Sequence, residues 1–192
     1  MGRVTLWMQI SLDGFAEGPD EQVHWPVVDE ELCGALLDEL KQADLLLYGR
    51  RTYDIMSAFW PTADIEPTIS PFYVEFARFW KQVPKFVFSR TMRTADWNTT
   101  VVGDDLVSRI AGLKCDSGYN MVMLGGAETA ATFLEHGLVD EYRLFVHPML
   151  LGGGVPLFRS PVDTAGLQLV DVTTFDSAVV QMHYQQISPA LC

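Results

Sequence analysis

Three short runs in this 192-residue chain combine bare backbone, hydroxyls and guanidinium groups, the set that holds phosphate. In Gly49-Arg50-Arg51-Thr52 a glycine lets backbone approach an anion closely, while the arginines add charge-assisted contacts. Ser89-Arg90-Thr91 places two hydroxyls and one guanidinium together, enough for a terminal phosphate monoester such as an adenosine 2′-phosphate. Gly125-Gly126-Ala127-Glu128-Thr129 removes side chains from the stretch where a pyrophosphate could lie against backbone amides. Taken alone, each run also suits a plain turn or helix cap. Their recurrence at similar places in the chain favours one dinucleotide phosphate site.

What must position them is visible in the apolar runs just before each. Leu45–Tyr48, Phe86–Phe88 and Met121–Leu124 read as buried parallel strands that end at these turns, so their carboxyl ends share one sheet edge. Val4 to Leu12 alternates as a first strand, and residues 13–20 are turn-rich loop. A helical stripe runs through Val27 to Ala43, and aromatics at Phe72, Phe76, Phe79 and Trp80 form a core-facing helix face. A proline-rich loop spans Pro61 to Pro71, Thr99 to Val102 is a short strand, and helices are expected over Asp104 to Leu113 and Ala127 to His136. Beyond Gly137 only strands are expected: Glu141 to His147, Leu167 to Phe175 and Ala178 to Gln186, the last two as a hairpin. The prediction is an α/β fold in one domain over residues 1–192, with a mixed sheet that is antiparallel on one side.

Composition narrows the class. A hydrophobic fraction of 48% with 20% charged residues belongs to a packed globular protein, and no apolar run has membrane-span length. The N-terminus enters a strand pattern directly, which points to a cytoplasmic protein. Cys33, Cys115 and Cys192 and the four histidines are scattered, so neither disulfides nor a metal is expected. A net charge of −12 disfavours nucleic acid and anionic membranes. The charge is uneven: ten acids and only Lys41 lie between Asp13 and Asp44, whereas five basic residues and no acid lie between Arg78 and Arg93. Solvated helix faces would explain that pattern, as would local positive charge kept for an anionic cofactor.

With Met8–Phe15, Gly49–Tyr53, Phe88–Thr91, Gly125–Glu128, Leu138–Tyr142 and the stretch from Pro148 to Phe158, the chain resembles the dihydrofolate reductase-like superfamily. It is most similar to the reductase domain of the bifunctional riboflavin-biosynthesis deaminase/reductase and its stand-alone relatives. The resemblance implies a three-layer α/β fold, a mostly parallel sheet of about eight strands flanked by helices. It implies an NADPH-dependent reductase acting on a small heterocycle or a ribosylamino-pyrimidine, as in 5-amino-6-(5-phosphoribosylamino)uracil reduction. Gly49, Arg50, Arg51 and Thr52 would meet the cofactor phosphates, Ser89, Arg90 and Thr91 the 2′-phosphate, and Gly125, Gly126, Ala127, Glu128 and Thr129 the pyrophosphate. Such relatives are commonly homodimers.

The substrate side is thinner. The position that carries the pterin-binding acid in true dihydrofolate reductases falls near Cys33, which disfavours folate reduction, although Asp29, Glu30 and Glu31 lie one turn earlier. Asp13 and Glu30 are the candidate proton donors, and either would need a raised pKa to act near neutrality. Asp13, which a tight Asp-Gly turn would also explain, and Trp25 are expected to border the pocket, with Trp25 excluding water. Gly152-Gly153-Gly154 lacks a following helix and reads as a flexible turn at the pocket rim. The competing reading is a non-catalytic protein that kept the nucleotide site.

Overall fold

A computed structural model describes residues 2–19, 25–27, 29–65, 70–116, 118–159 and 166–187. Its centre is an eight-stranded sheet in the order β5-β4-β3-β6-β1-β7-β10-β9. These strands are β1 (Arg3–Ser11), β3 (Leu45–Gly49), β4 (Lys85–Phe88), β5 (Thr99–Val102), β6 (Asn120–Leu124), β7 (Glu141–His147), β9 (Leu167–Thr174) and β10 (Val180–Gln186). Every pairing from β5 across to β7 is parallel, while β10 runs antiparallel to both β7 and β9. This is the expected mixed sheet with its antiparallel side at the C-terminus.

All five residues of β3 are buried, because helices cover both faces of its neighbourhood. Alternation sorts the side chains into two cores. Leu6, Met8, Leu47, Met123 and Leu144 face α4 (Leu106–Asp116) and α5 (Ala127–Glu135). Trp7, Leu46, Tyr48, Val122 and Phe145 face the other way, toward α1 (Glu30–Leu40), α2 (Arg50–Phe59) and α3 (Pro71–Gln82). A 3₁₀ turn, Trp60–Thr62, joins the aromatic cluster between α2 and α3, where Trp60 and Phe76 ring centroids are 4.1 Å apart.

Element boundaries move by a few residues from expectation. Helix α1 starts later than Val27, since Asp29 caps it by accepting the Leu32 N–H at 2.7 Å. Helix α5 stops before Gly137, which takes φ +59. A larger difference is a second, two-stranded sheet: β2 (Phe15–Glu17) pairs antiparallel with β8 (Val155–Pro156), a ribbon in segments expected to be loops. Part of the proline-rich loop, residues 66–69, lies outside the described residues. No helix among the described residues is long and apolar enough to cross a membrane.

Candidate active site

The carboxyl ends of β3 and β6 come together through glycine. Gly49 caps α2 and Gly126 caps α5, and neither cap residue brings a side chain of its own to the helix end. A Cβ on Gly49 would sit 2.5 Å from Thr129 Oγ1, and one on Gly126 would sit 3.3 Å from Thr52 Oγ1 and 3.5 Å from the Gly49 Cα. Gly125 and Gly126 have φ of +71 and +86, a region glycine enters freely. Two of the three predicted turns therefore touch, and they set two helix N-termini along one seam, with Glu17 Oε1 accepting from the Ala127 N–H at the start of α5 at 3.4 Å.

Two cavities flank this seam. The polar one, about 480 Å³, is lined by Arg50, Ser89, Arg90, Thr91, Asp104 and His136 among others. Ser89 Oγ accepts from the Met92 N–H at 3.0 Å and the Thr91 N–H at 3.3 Å, which shapes the turn. Arg90 Nε donates to Asp104 at 2.8 Å and Arg50 pairs with Asp54 at 3.2 Å. All four side chains are largely exposed, so these ion pairs exchange easily with another anion. The expected basic run does not act as one patch: Lys81 binds Asp64, and buried Lys85 donates to the Trp80 and Val83 carbonyls at the end of α3. Burial pushes the Lys85 amine down to about 8.

The second cavity, about 500 Å³, is mostly apolar. Trp7, Tyr48, Phe59, Trp60, Phe72 and Phe76 form much of its wall, and its polar contributors include Gln9, Glu17, Cys33 and Thr52. Burial, reinforced by the charges of Asp29 and Glu30, pushes the Cys33 thiol up to about 11, so it stays protonated near neutrality. Behind Gln9 lies fully buried His147, which accepts the Val27 N–H on Nδ1 at 3.2 Å and contacts Gln9 Oε1 through Nε2 at 2.5 Å. Burial drives the imidazole pKa down to about 4, and the accepting Nδ1 assigns the proton to Nε2. Glu17 pairs with Arg51 at 3.0 Å while its other oxygen is 3.4 Å from the Ala127 N at the start of α5.

The substrate-side candidates are placed differently from expectation. Asp13 is exposed and lines neither cavity. Its carboxylate accepts from Ser11 Oγ at 2.6 Å, from Gly152 N at 2.8 Å and from Leu151 N at 3.1 Å, and the Ser11 bond first of all holds its pKa below the usual range. A carboxyl held that way stays ionised at neutral pH, and its three contacts clamp the loop. Glu30 is exposed on the first turn of α1 and is absent from the cavity wall. The neighbouring acids are also committed: Asp29 accepts from Ser177 N and Glu31 from Asp176 N, which ties α1 to the β9–β10 turn. Trp25 packs edge-on against His147 at 5.3 Å, one layer behind the wall that Pro26 completes. Glu128 reaches outward to Arg159 at 2.8 Å.

Sequence reasoning passed over Glu17, Gln9 and His147. Their signals were faint: His147 ends a parallel strand like the predicted turns, and Gln9 is a polar break in the apolar β1 pattern. Glu17 is fixed by Gly154, whose φ is +119 and whose added Cβ would meet the Glu17 carbonyl at 2.1 Å. The glycine triplet thus works as a close-packing device for β2 as well as a rim turn.

A mostly parallel sheet with glycine-lined helix N-termini at one edge and paired cavities across them defines the dihydrofolate reductase-like class. Within it, residues 3–181 match the RibD C-terminal domain family, and the chain belongs to that family. It is 35% identical over 185 residues to the uncharacterized protein YyaP of Bacillus subtilis (strain 168), covering 95% of this chain and 94% of that one. A Shewanella sp. PV-4 structure, provisionally named a riboflavin biosynthesis protein, superposes with TM-score 0.70 and 26% identity over 97% of this chain and 99% of that one. The fold also matches Enterococcus faecalis dihydrofolate reductase solved with NADP(H), TM-score 0.65 at 12% identity, over 97% and 98% of the two chains.

Proposed function

We propose that the protein is a cytoplasmic NADPH-dependent reductase of a small heterocycle bearing C=O or C=N. The observation that carries this reading is the pair of cavities on one seam: α2 supplies Arg50 to the polar cavity and Thr52 to the apolar one, and α5 supplies Thr132 and its Gly126 cap respectively. A dinucleotide laid across the seam would place its adenosine 2′-phosphate near Ser89 and Arg90 and its pyrophosphate against Gly49, Gly125 and Gly126. The nicotinamide end would enter the aromatic cavity. The residues present fit that group: the glycine cradle leaves no room for side chains, and the arginines at the polar cavity carry only exposed partners.

When bound, NADPH supplies two electrons as hydride to the acceptor carbon, the heteroatom takes a proton, and NADP⁺ remains. The chain supplies orientation and water exclusion. The position that carries an acid in folate reductases falls near Cys33, Asp29 and Glu31 are engaged with backbone, and Glu30 is absent from the cavity wall, which supports proton delivery from water and a substrate other than dihydrofolate.

Turnover is tested by following NADPH oxidation across a panel of pteridines, pyrimidines and quinones. Consumption with at least one compound, with KM for NADPH raised in Arg50→Ala/Arg90→Ala, is expected. Binding without oxidation across the panel would favour the non-catalytic reading.

A further inference from the structure

Every one of the 13 lysines and arginines of this chain lies among the described residues, and none of them lines the aromatic cavity. Arg51 pairs at 3.0 Å with Glu17, a residue of the cavity wall. A phosphate monoester seated against this wall would give up part of its hydration without gaining a cation from the wall and would meet an acidic residue instead, an unfavourable exchange.

What the cavity does offer is flat apolar surface and an amide. Trp7, Tyr48, Trp60 and Phe76 suit a planar ring. Gln9 is fixed by its carbonyl end: because His147 Nδ1 accepts from Val27, Nε2 donates to Gln9 Oε1, and the Gln9 amide N–H₂ is left with no partner among the described residues. Gln9 also forms part of the wall, so that group is placed to donate to a ring carbonyl or ring nitrogen.

We infer that the substrate is an uncharged, planar ring carbonyl or ring-nitrogen compound without a phosphate group, positioned by the Gln9 amide. This rests on the reductase reading for the use made of the cavity, and it departs from the phosphoribosylamino-pyrimidine that the family resemblance implies.

The matched probes are 1,4-naphthoquinone and its 2-sulfonate, which differ by one anionic group, with 5-amino-6-(5-phosphoribosylamino)uracil as a third ligand, each titrated calorimetrically into the intact protein. The uncharged quinone is expected to bind at least about tenfold more tightly than either anion. Gln9→Leu should weaken the quinone by about fivefold, the loss of one hydrogen bond, without improving the anions. Ile55→Arg, at a wall position already 42% exposed and therefore tolerant of change, should recover binding of the sulfonate. Equal or tighter binding of the sulfonate or the phosphoribosyl compound overturns the inference, as does failure of all three to bind. NADPH is titrated separately: its failure to bind contradicts the reductase reading and leaves the ring selectivity standing.

Discussion

His147 carries two jobs in one ring: it joins the β7 end to the Val27 backbone and it aims Gln9. It does both only as a neutral imidazole. In the unfolded chain it takes a proton below pH 6.5, while in the fold it resists until about pH 4, so the unfolded state binds more protons in that window. The His147 contribution to stability should be constant above pH 6.5 and fall as the pH drops toward 4, by up to roughly 3 kcal/mol. Chemical denaturation of wild type and His147→Gln between pH 4 and 8 checks this. The variant should lose much of the pH slope; an unchanged slope would assign it to other groups. Asp13 yields a contrasting expectation. Since its carboxylate serves Ser11 and two loop amides, Asp13→Asn should lower the melting temperature yet leave the pH profile of single-turnover hydride transfer unchanged.

At the scale of elements, the β2–β8 ribbon matters most, because it brings Glu17 to the start of α5 and into contact with Arg51. Gly154→Ala would drive a methyl group into the Glu17 backbone, which cannot yield like a side chain. A loss of about 1–3 kcal/mol is expected, together with weaker cofactor binding, measurable by denaturation and by NADPH titration. The main sheet was legible because β3, β4 and β6 are short uninterrupted apolar runs that end in glycine or serine, a pattern set by burial on both faces. The ribbon was not, since β2 has three residues and β8 two, too few for alternation to register. The substrate wall was hidden for a related reason. Cys33 could be reached by counting along α1, but Gln9 and His147 acquire meaning only when parallel pairing sets β1 beside β7, 138 positions apart in sequence.

For the whole molecule, the charge pattern turns out to be local in origin. Of the five basic residues from Arg78 to Arg93, Lys81 and Lys85 hold α3 in place and Arg90 lines the polar cavity just beyond the end of β4. The opposite end of the sheet suggests assembly. Edge strand β9 exposes Leu167, Leu169, Val170 and Val172, each at least 40% accessible, an apolar strip on an unpaired edge that proteins usually cover. We propose a homodimer through this edge. Light scattering should give twice the 21.5 kDa chain mass, reduced to the monomer by Val170→Lys/Val172→Lys; a monomeric wild type would contradict it.

The central claim is that one dinucleotide spans both cavities with its 2′-phosphate held by the Ser89-Arg90 turn. Titration of NADPH against NADH, read from the quenching of Trp7 and Trp60 in the aromatic wall, tests it most directly. NADPH should bind about tenfold or more tightly than NADH, and Arg90→Ala should erase the difference by weakening NADPH alone. Equal affinities in the wild type, unaffected by Arg90→Ala, would contradict the account.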